Sequence, residues 1–221
     1  MSTLEDSIEF AENPEPRCPC ILLLDNSGSM QGPPIEALNA GLRTFRNDLL
    51  KDSLASRRVE IAVISFNNEV RIIEDFATAD MFDPPALTAA GQTFMGTGIL
   101  RALDLLDARK AQYRANGIAY YRPWIFMVTD GEPQGEAPEL IQRASQRIRD
   151  DEDAKRVAFF AVGVEGANLA KLGTVASRTP MKLDGLDFRE MFIWLSTSMQ
   201  RVSHSQMDEQ VPLPVRGWDA I

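Results

Sequence analysis

Apolar residues run almost unbroken through 21–24, 59–66, 124–128 and 157–164, the pattern of strands buried on both faces of a parallel sheet. A further apolar stretch, 70–73, follows the turn-forming pair Asn67-Asn68 and is expected to be an antiparallel edge strand. Between these runs the apolar positions recur at helical spacing. Ile35, Leu38, Leu42, Phe45 and Leu49 make one stripe, Ile99, Leu103 and Leu106 a second, and Ile141, Ala144 and Ile148 a third. Phe188, Met191, Leu195, Met199 and Val202 make the last, and all four stripes read as core-facing helix sides. A short helix is expected over 169–176 and a short strand over 181–183. The resulting order, β, α, β, β, α, β, α, β, α, predicts an α/β fold. Its sheet is doubly wound and mostly parallel, with one antiparallel edge strand and helices on both faces.

The chain is organised as an extended lead-in over 1–16, one domain over 17–205 and an extended tail over 206–221. Trp218 in that tail either folds back onto the domain or docks on a partner. No internal repeat or low-complexity tract interrupts the pattern.

Composition narrows the function classes. A length of 221 residues suits one α/β domain, and 44% hydrophobic residues suffice for a full core. Thirty-two acidic against 23 basic residues leave a net charge of −9, which argues against nucleic acid or an anionic membrane as partner. The first 17 residues are polar and acidic without an apolar stretch, so the chain reads as cytoplasmic, with no secretory leader and no membrane span. Cys18 and Cys20, separated only by Pro19, are too close for an unstrained disulfide and are expected to be free thiols.

Candidate chemistry gathers at strand ends. Asp25, Ser27 and Ser29, in Asp-Asn-Ser-Gly-Ser, directly follow the apolar run 21–24, and Asp130, in Thr-Asp-Gly, comes right after the apolar run 124–128. Ligands bind open α/β sheets at the carboxyl ends of their strands. Oxygen-only donors suit a hard cation such as Mg²⁺. Each residue also has an ordinary alternative, Asp25 as a helix N-cap, the serines and Asp130 as turn formers. A phosphotransferase using Asp25 as nucleophile would need a second carboxylate two residues on as general acid/base, where Ser27 stands. His204, the sole histidine, lies near the chain end, and no phosphate-binding glycine loop is present. A Mg²⁺-dependent hydrolase or phosphotransferase at this strand end is therefore the weaker reading.

The set Asp-x-Ser-x-Ser, Thr93 in Gly-Gln-Thr, and Asp130 in Thr-Asp-Gly resembles the metal ion-dependent adhesion site (MIDAS) of von Willebrand factor type A domains, over roughly residues 17–202. The resemblance implies a Rossmann-like fold and a MIDAS cation, Mg²⁺ with Mn²⁺ or Ca²⁺ as substitutes. Ser27 and Ser29 would bind it directly, Thr93 directly or through water, and Asp25 and Asp130 mostly through water. Thr97 is close enough in sequence to replace Thr93, and Glu132 is expected on the rim. The implied activity is non-enzymatic capture of a protein partner's Asp or Glu. Segments 10–20 (FAENPEPRCPC) and 129–133 (TDGEP) are similar to stand-alone bacterial type A proteins of the TerY/YegL, tellurium-resistance type. That implies a stress-response assembly with a Ser/Thr kinase and a PP2C-type phosphatase.

Overall fold

The computed structural model describes residues 9–207 and 209–217. Six strands form one sheet: β1 (Cys18–Asp25), β2 (Val59–Phe66), β3 (Val70–Thr78), β4 (Trp124–Thr129), β5 (Ala158–Gly163) and β6 (Met181–Lys182). Their spatial order is β3-β2-β1-β4-β5-β6. All neighbours are parallel except β2 and β3. The expected doubly wound sheet with an antiparallel edge strand is therefore present.

β1 shows why the apolar runs look continuous. Cys18, Cys20, Leu22 and Leu24 point to one face, Ile21 and Leu23 to the other. The first face is covered by α1 (Pro33–Leu49) and α6 (Phe188–His204), through Leu38, Leu42 and Phe45 of α1 and Phe192, Leu195 and Met199 of α6. The second is covered by α3 (Met95–Ala115), α4 (Pro138–Asp153) and α5 (Leu169–Val175), using Ile99, Leu103, Leu106, Ala144, Ile148 and Leu172. With both faces covered, alternation along the strand is apolar against apolar. Both cysteines are buried free thiols, and burial pushes both thiol pKa values far up, which keeps them protonated.

The structure extends or corrects the pattern in three places. β3 continues to Thr78, beyond the expected 70–73, because an edge strand exposes alternate residues and so carries Glu74 and Asp75. A four-residue helix, α2 (Ala55–Arg58), precedes β2 without an apolar period to announce it. The lead-in is not extended throughout: residues 9–12 are helical and Phe10 is buried. Phe10 lies between two guanidiniums, 5.4 Å from that of Arg17 and 4.9 Å from that of Arg109.

Those two arginines belong to a buried polar cluster around Glu60, the one charged residue inside the β2 run. Arg17 Nε donates to Glu60 Oε1 at 2.7 Å, Arg109 Nε donates to Oε2 at 3.0 Å, and the Tyr113 hydroxyl also donates to Oε2. At the other terminus, residues 209–216 have no regular structure and are tied to α6, where Arg201 Nη1 donates to the Pro212 carbonyl at 3.3 Å. Trp194 Nε1 donates to the Pro214 carbonyl at 2.9 Å. The expectation for Trp218 lies outside the described residues. Among those described, no helix is long and apolar enough to cross a membrane.

Candidate metal centre

The helices that follow β1 and β4 pack on opposite faces of the sheet, α1 with the first core and α4 with the second. Adjacent parallel strands whose connections part in this way leave a crevice at their carboxyl ends. Three segments line it here: the turn 25–29 after β1, the loop 91–93 before α3, and the turn 129–131 at the end of β4.

Backbone hydrogen bonds stitch the segments together. Gly28 N donates to the Gly91 carbonyl at 2.9 Å, and Gln134 N donates to the Thr93 carbonyl at 3.0 Å. Gly91 adopts a φ of +79°, a left-handed conformation that favours glycine. Gly28 approaches the same loop closely: a Cβ there would stand 3.4 Å from the Gly91 carbonyl oxygen.

Within this frame the structure brings Asp25, Ser27, Ser29, Thr93 and Asp130 to one place. Asp25 Oδ1 accepts from the Ser27 amide at 2.8 Å, fixing the turn. Ser27 Oγ and Ser29 Oγ are 3.1 Å apart, and Ser29 Oγ donates to Asp130 Oδ1 at 2.8 Å. Thr93 is buried and faces the same space. A Cβ built on Gly131 would lie 3.5 Å from Thr93 Oγ1 and 3.9 Å from Asp25 Oδ2. Asp25 and Ser27 are buried, Asp130 is half-buried and Ser29 is exposed.

The flanking residues take other roles. Thr97 is not gathered into the cluster. Its amide and hydroxyl donate to Glu136 Oε2 at 3.0 and 2.9 Å, so Glu136 closes the first turn of α3. Glu132 accepts from Asn168 Nδ2 at 2.8 Å and pairs with Lys171, which holds it on the rim against α5. Thr129 was missed by sequence reasoning: its hydroxyl donates to Asp25 Oδ2 and accepts from the Gly131 amide at 3.2 Å. The only signal for it was a hydroxyl residue as the last position of an apolar strand.

Electrostatics argue for a cation. Burial is the largest cause pushing the Asp25 carboxyl up to about 6, against bonds from Thr129 and Ser27, and Asp130 adds repulsion. Asp130 is also raised, by burial first, with its bond from Ser29 opposing. Among the described residues neither carboxylate has an ion pair with Lys, Arg or His, so two repelling acids stand together without a counter-charge. The donors gathered here are all oxygens, three hydroxyls and two carboxylates, the ligand chemistry that hard divalent ions such as Mg²⁺ take. The residues present therefore fit a hard divalent ion.

Fold and site together define an α/β domain with an oxygen-lined centre at its switch point. The family model for the von Willebrand factor type A domain matches residues 20–184, and the chain belongs to that family. No curated protein matches it. Among solved structures it is similar to a von Willebrand factor type A protein from Catenulispora acidiphila, with TM-score 0.64, 19% identity, and coverage of 84% of this chain and 43% of that one. It is similar to proximal thread matrix protein 1 from the mussel byssus, solved with a zinc-occupied MIDAS motif, with TM-score 0.56, 16% identity, and coverage of 84% and 48%. The pilus adhesin SpaC from Lactobacillus rhamnosus GG, in an open conformation, matches with TM-score 0.66, 13% identity, and coverage of 84% and 30%. The chain thus spans less than half the length of each of these proteins.

Proposed function

We propose that this protein is a metal-dependent protein-interaction module whose MIDAS cation is held by Asp25, Ser27, Ser29, Thr93 and Asp130. The observation that carries this reading is the convergence of three hydroxyls and two carboxylates from three segments, the carboxylates having no basic partner among the described residues. Neutral hydroxyls nearest the ion leave most of its charge unquenched, so it accepts one further anionic ligand. Mg²⁺ keeps exchangeable waters, and one such position can pass to an Asp or Glu of a partner protein. Mg²⁺ is the proposed occupant in a cytoplasmic setting, with Mn²⁺ and Ca²⁺ as substitutes; the zinc-occupied MIDAS of the mussel protein shows that related frames take a divalent metal.

The activity proposed is binding without catalysis. The position two residues after Asp25 holds a hydroxyl, Ser27, where phosphoryl-transfer chemistry of this layout needs a carboxylate to move the proton. The partners proposed are those of a stress-response assembly of the tellurium-resistance type, a Ser/Thr kinase and a PP2C-type phosphatase. This follows the likeness of segments 10–20 and 129–133 to TerY/YegL-type proteins. Calorimetric titration with Mg²⁺ and Mn²⁺ tests the centre. Wild type should bind saturably, and Ser27→Ala/Ser29→Ala should lose the heat; equal heats from both would refute it.

A further inference from the structure

At the opposite end of the sheet from the metal centre lies a cavity of about 600 Å³, within the range of small-molecule sites. It opens between the first residues of β4 and β5, the last turns of α6, and the returning tail at 209–213. Its walls are aromatic and its charge is positive. Trp124 and Phe160 form one wall, their ring centroids 4.7 Å apart, and the Arg178 guanidinium lies 5.1 Å from the Phe160 centroid. Arg122, Lys155 and Arg178 all line the space, against the single acid Glu209 among the described lining residues.

The two arginines share one counter-ion. Arg178 Nε stands 2.7 Å from Glu152 Oε1 and Arg122 Nη2 stands 3.9 Å from the same oxygen. One carboxylate between two guanidiniums leaves a positive excess, in a chain whose net charge is −9.

Lys155 adds an independent observation. It follows α4 in the left-handed conformation, with φ of 55°, and is the only non-glycine residue at positive φ among those described. Its amide donates to the Glu152 carbonyl at 2.9 Å and that of Arg156 donates to the Asp151 carbonyl at 2.7 Å, the bond pattern of a helix end that favours glycine. Glycine occupies the six other positive-φ positions. Here the chain instead places a cation on the cavity wall, and among the described residues its ammonium has no ion pair. Non-glycine residues kept in strained conformations cluster where a ligand is held.

We infer that this cavity binds a small organic anion with a flat apolar body, the body against Trp124 and Phe160 and the carboxylate or phosphate against Lys155 and the arginine pair. The test is titration of the full chain, in EDTA so that the metal centre cannot capture the anion, followed by Trp fluorescence and calorimetry. Benzoate and phenyl phosphate are the two anionic probes and neutral benzamide is the control. At least one anion should bind saturably with a Kd below about 1 mM, and benzamide at least roughly tenfold more weakly, the difference a charge-assisted contact makes. Lys155→Gly relieves the backbone strain and so should melt at or above the wild-type temperature, yet bind the preferred anion roughly 5- to 10-fold more weakly. Lys155→Arg should retain affinity. Three results would each overturn the inference: no saturable binding of either anion, benzamide binding as tightly as the anions, or unchanged affinity in both Lys155→Gly and Arg178→Gln.

Discussion

Asp25 is the residue on which the proposed metal centre turns. Its carboxyl titrates near 6 in the folded protein against an ordinary 3.8, so without a cation the folded state holds a proton that the unfolded chain has released. Stability from this group is present below the lower value and is lost as pH rises through the upper one, on the order of 3 kcal/mol in all. A bound cation reverses the sign, because it favours the ionised form. The stabilisation by saturating Mg²⁺ over EDTA should therefore grow between about pH 4 and pH 6 and level off above. Urea unfolding across that window checks this, and a flat difference would mean that the ion is not held by Asp25. Glu60 presents the opposite case, a buried carboxylate fully matched by Arg17, Arg109 and Tyr113. Its replacement leaves Arg17 without a carboxylate in the interior, while Arg109 keeps its ion pair with Glu9, so Glu60→Gln should lower the unfolding free energy by about 3–5 kcal/mol. The same measurement decides it, and a loss under roughly 1 kcal/mol would show that the cluster contributes little.

At the scale of elements, a tight constraint is the contact of α1 with α6. A Cβ on Gly41 would stand 2.5 Å from Phe192 Cδ2 and 3.2 Å from Phe188 Cβ, so the two helices meet where α1 has no side chain. Gly41→Ala should cost about 1–3 kcal/mol by overpacking, although alanine is the better helix former. Pairing it with Phe192→Leu should recover part of that loss in thermal melts, because the smaller side chain vacates the contact. Nothing in the local pattern announces this, since glycine inside a helical stripe looks like a weak position and not a close approach. The apolar periods did announce α1, α3, α4 and α6, because each buries one stripe, and β1, β2, β4 and β5, because each is covered on both faces. They failed where burial is partial or borrowed. The outer half of β3 alternates with acids, α2 is too short to show a period, and Phe10 is buried against Arg17 and against Arg109 and Tyr113, which lie about a hundred positions away. The grouping of Asp25, Ser27, Ser29 and Asp130 at one place was legible because strand ends are legible. Thr93 and Thr97 were separable only once Glu136 was seen to hold Thr97, and Thr129 acts through a hydrogen bond across 104 positions.

For the whole molecule, the cores lie inside the three layers and the proposed metal centre sits at one rim, which separates folding from binding. The metal-free protein should therefore melt cooperatively, below the Mg²⁺-bound form by no more than about 3 kcal/mol even at a hundredfold excess over Kd. Loss of near-ultraviolet circular dichroism on chelation at room temperature would contradict this. The same separation allows binding to be removed without unfolding. Asp130 is half-buried at the exposed end of β4, and its carboxylate accepts from Ser29 Oγ at 2.8 Å. Removing it takes away one of the two carboxylates proposed to place the cation, while leaving the sheet and both cores intact. Partner capture by the proposed centre should then depend on three things together: the ion, Asp130, and a carboxylate on the partner. Pull-downs from the native host with wild type, with Asp130→Ala, and with wild type in EDTA should differ, the first recovering proteins that the other two lose. Circular dichroism of Asp130→Ala should match wild type, which assigns the loss to the site. Blocking the carboxylates of a recovered partner by amidation should abolish its return to wild type in Mg²⁺. An identical set of proteins in all three pull-downs would place partner binding away from the metal, and the tail packed along α6 would be the next surface to delete.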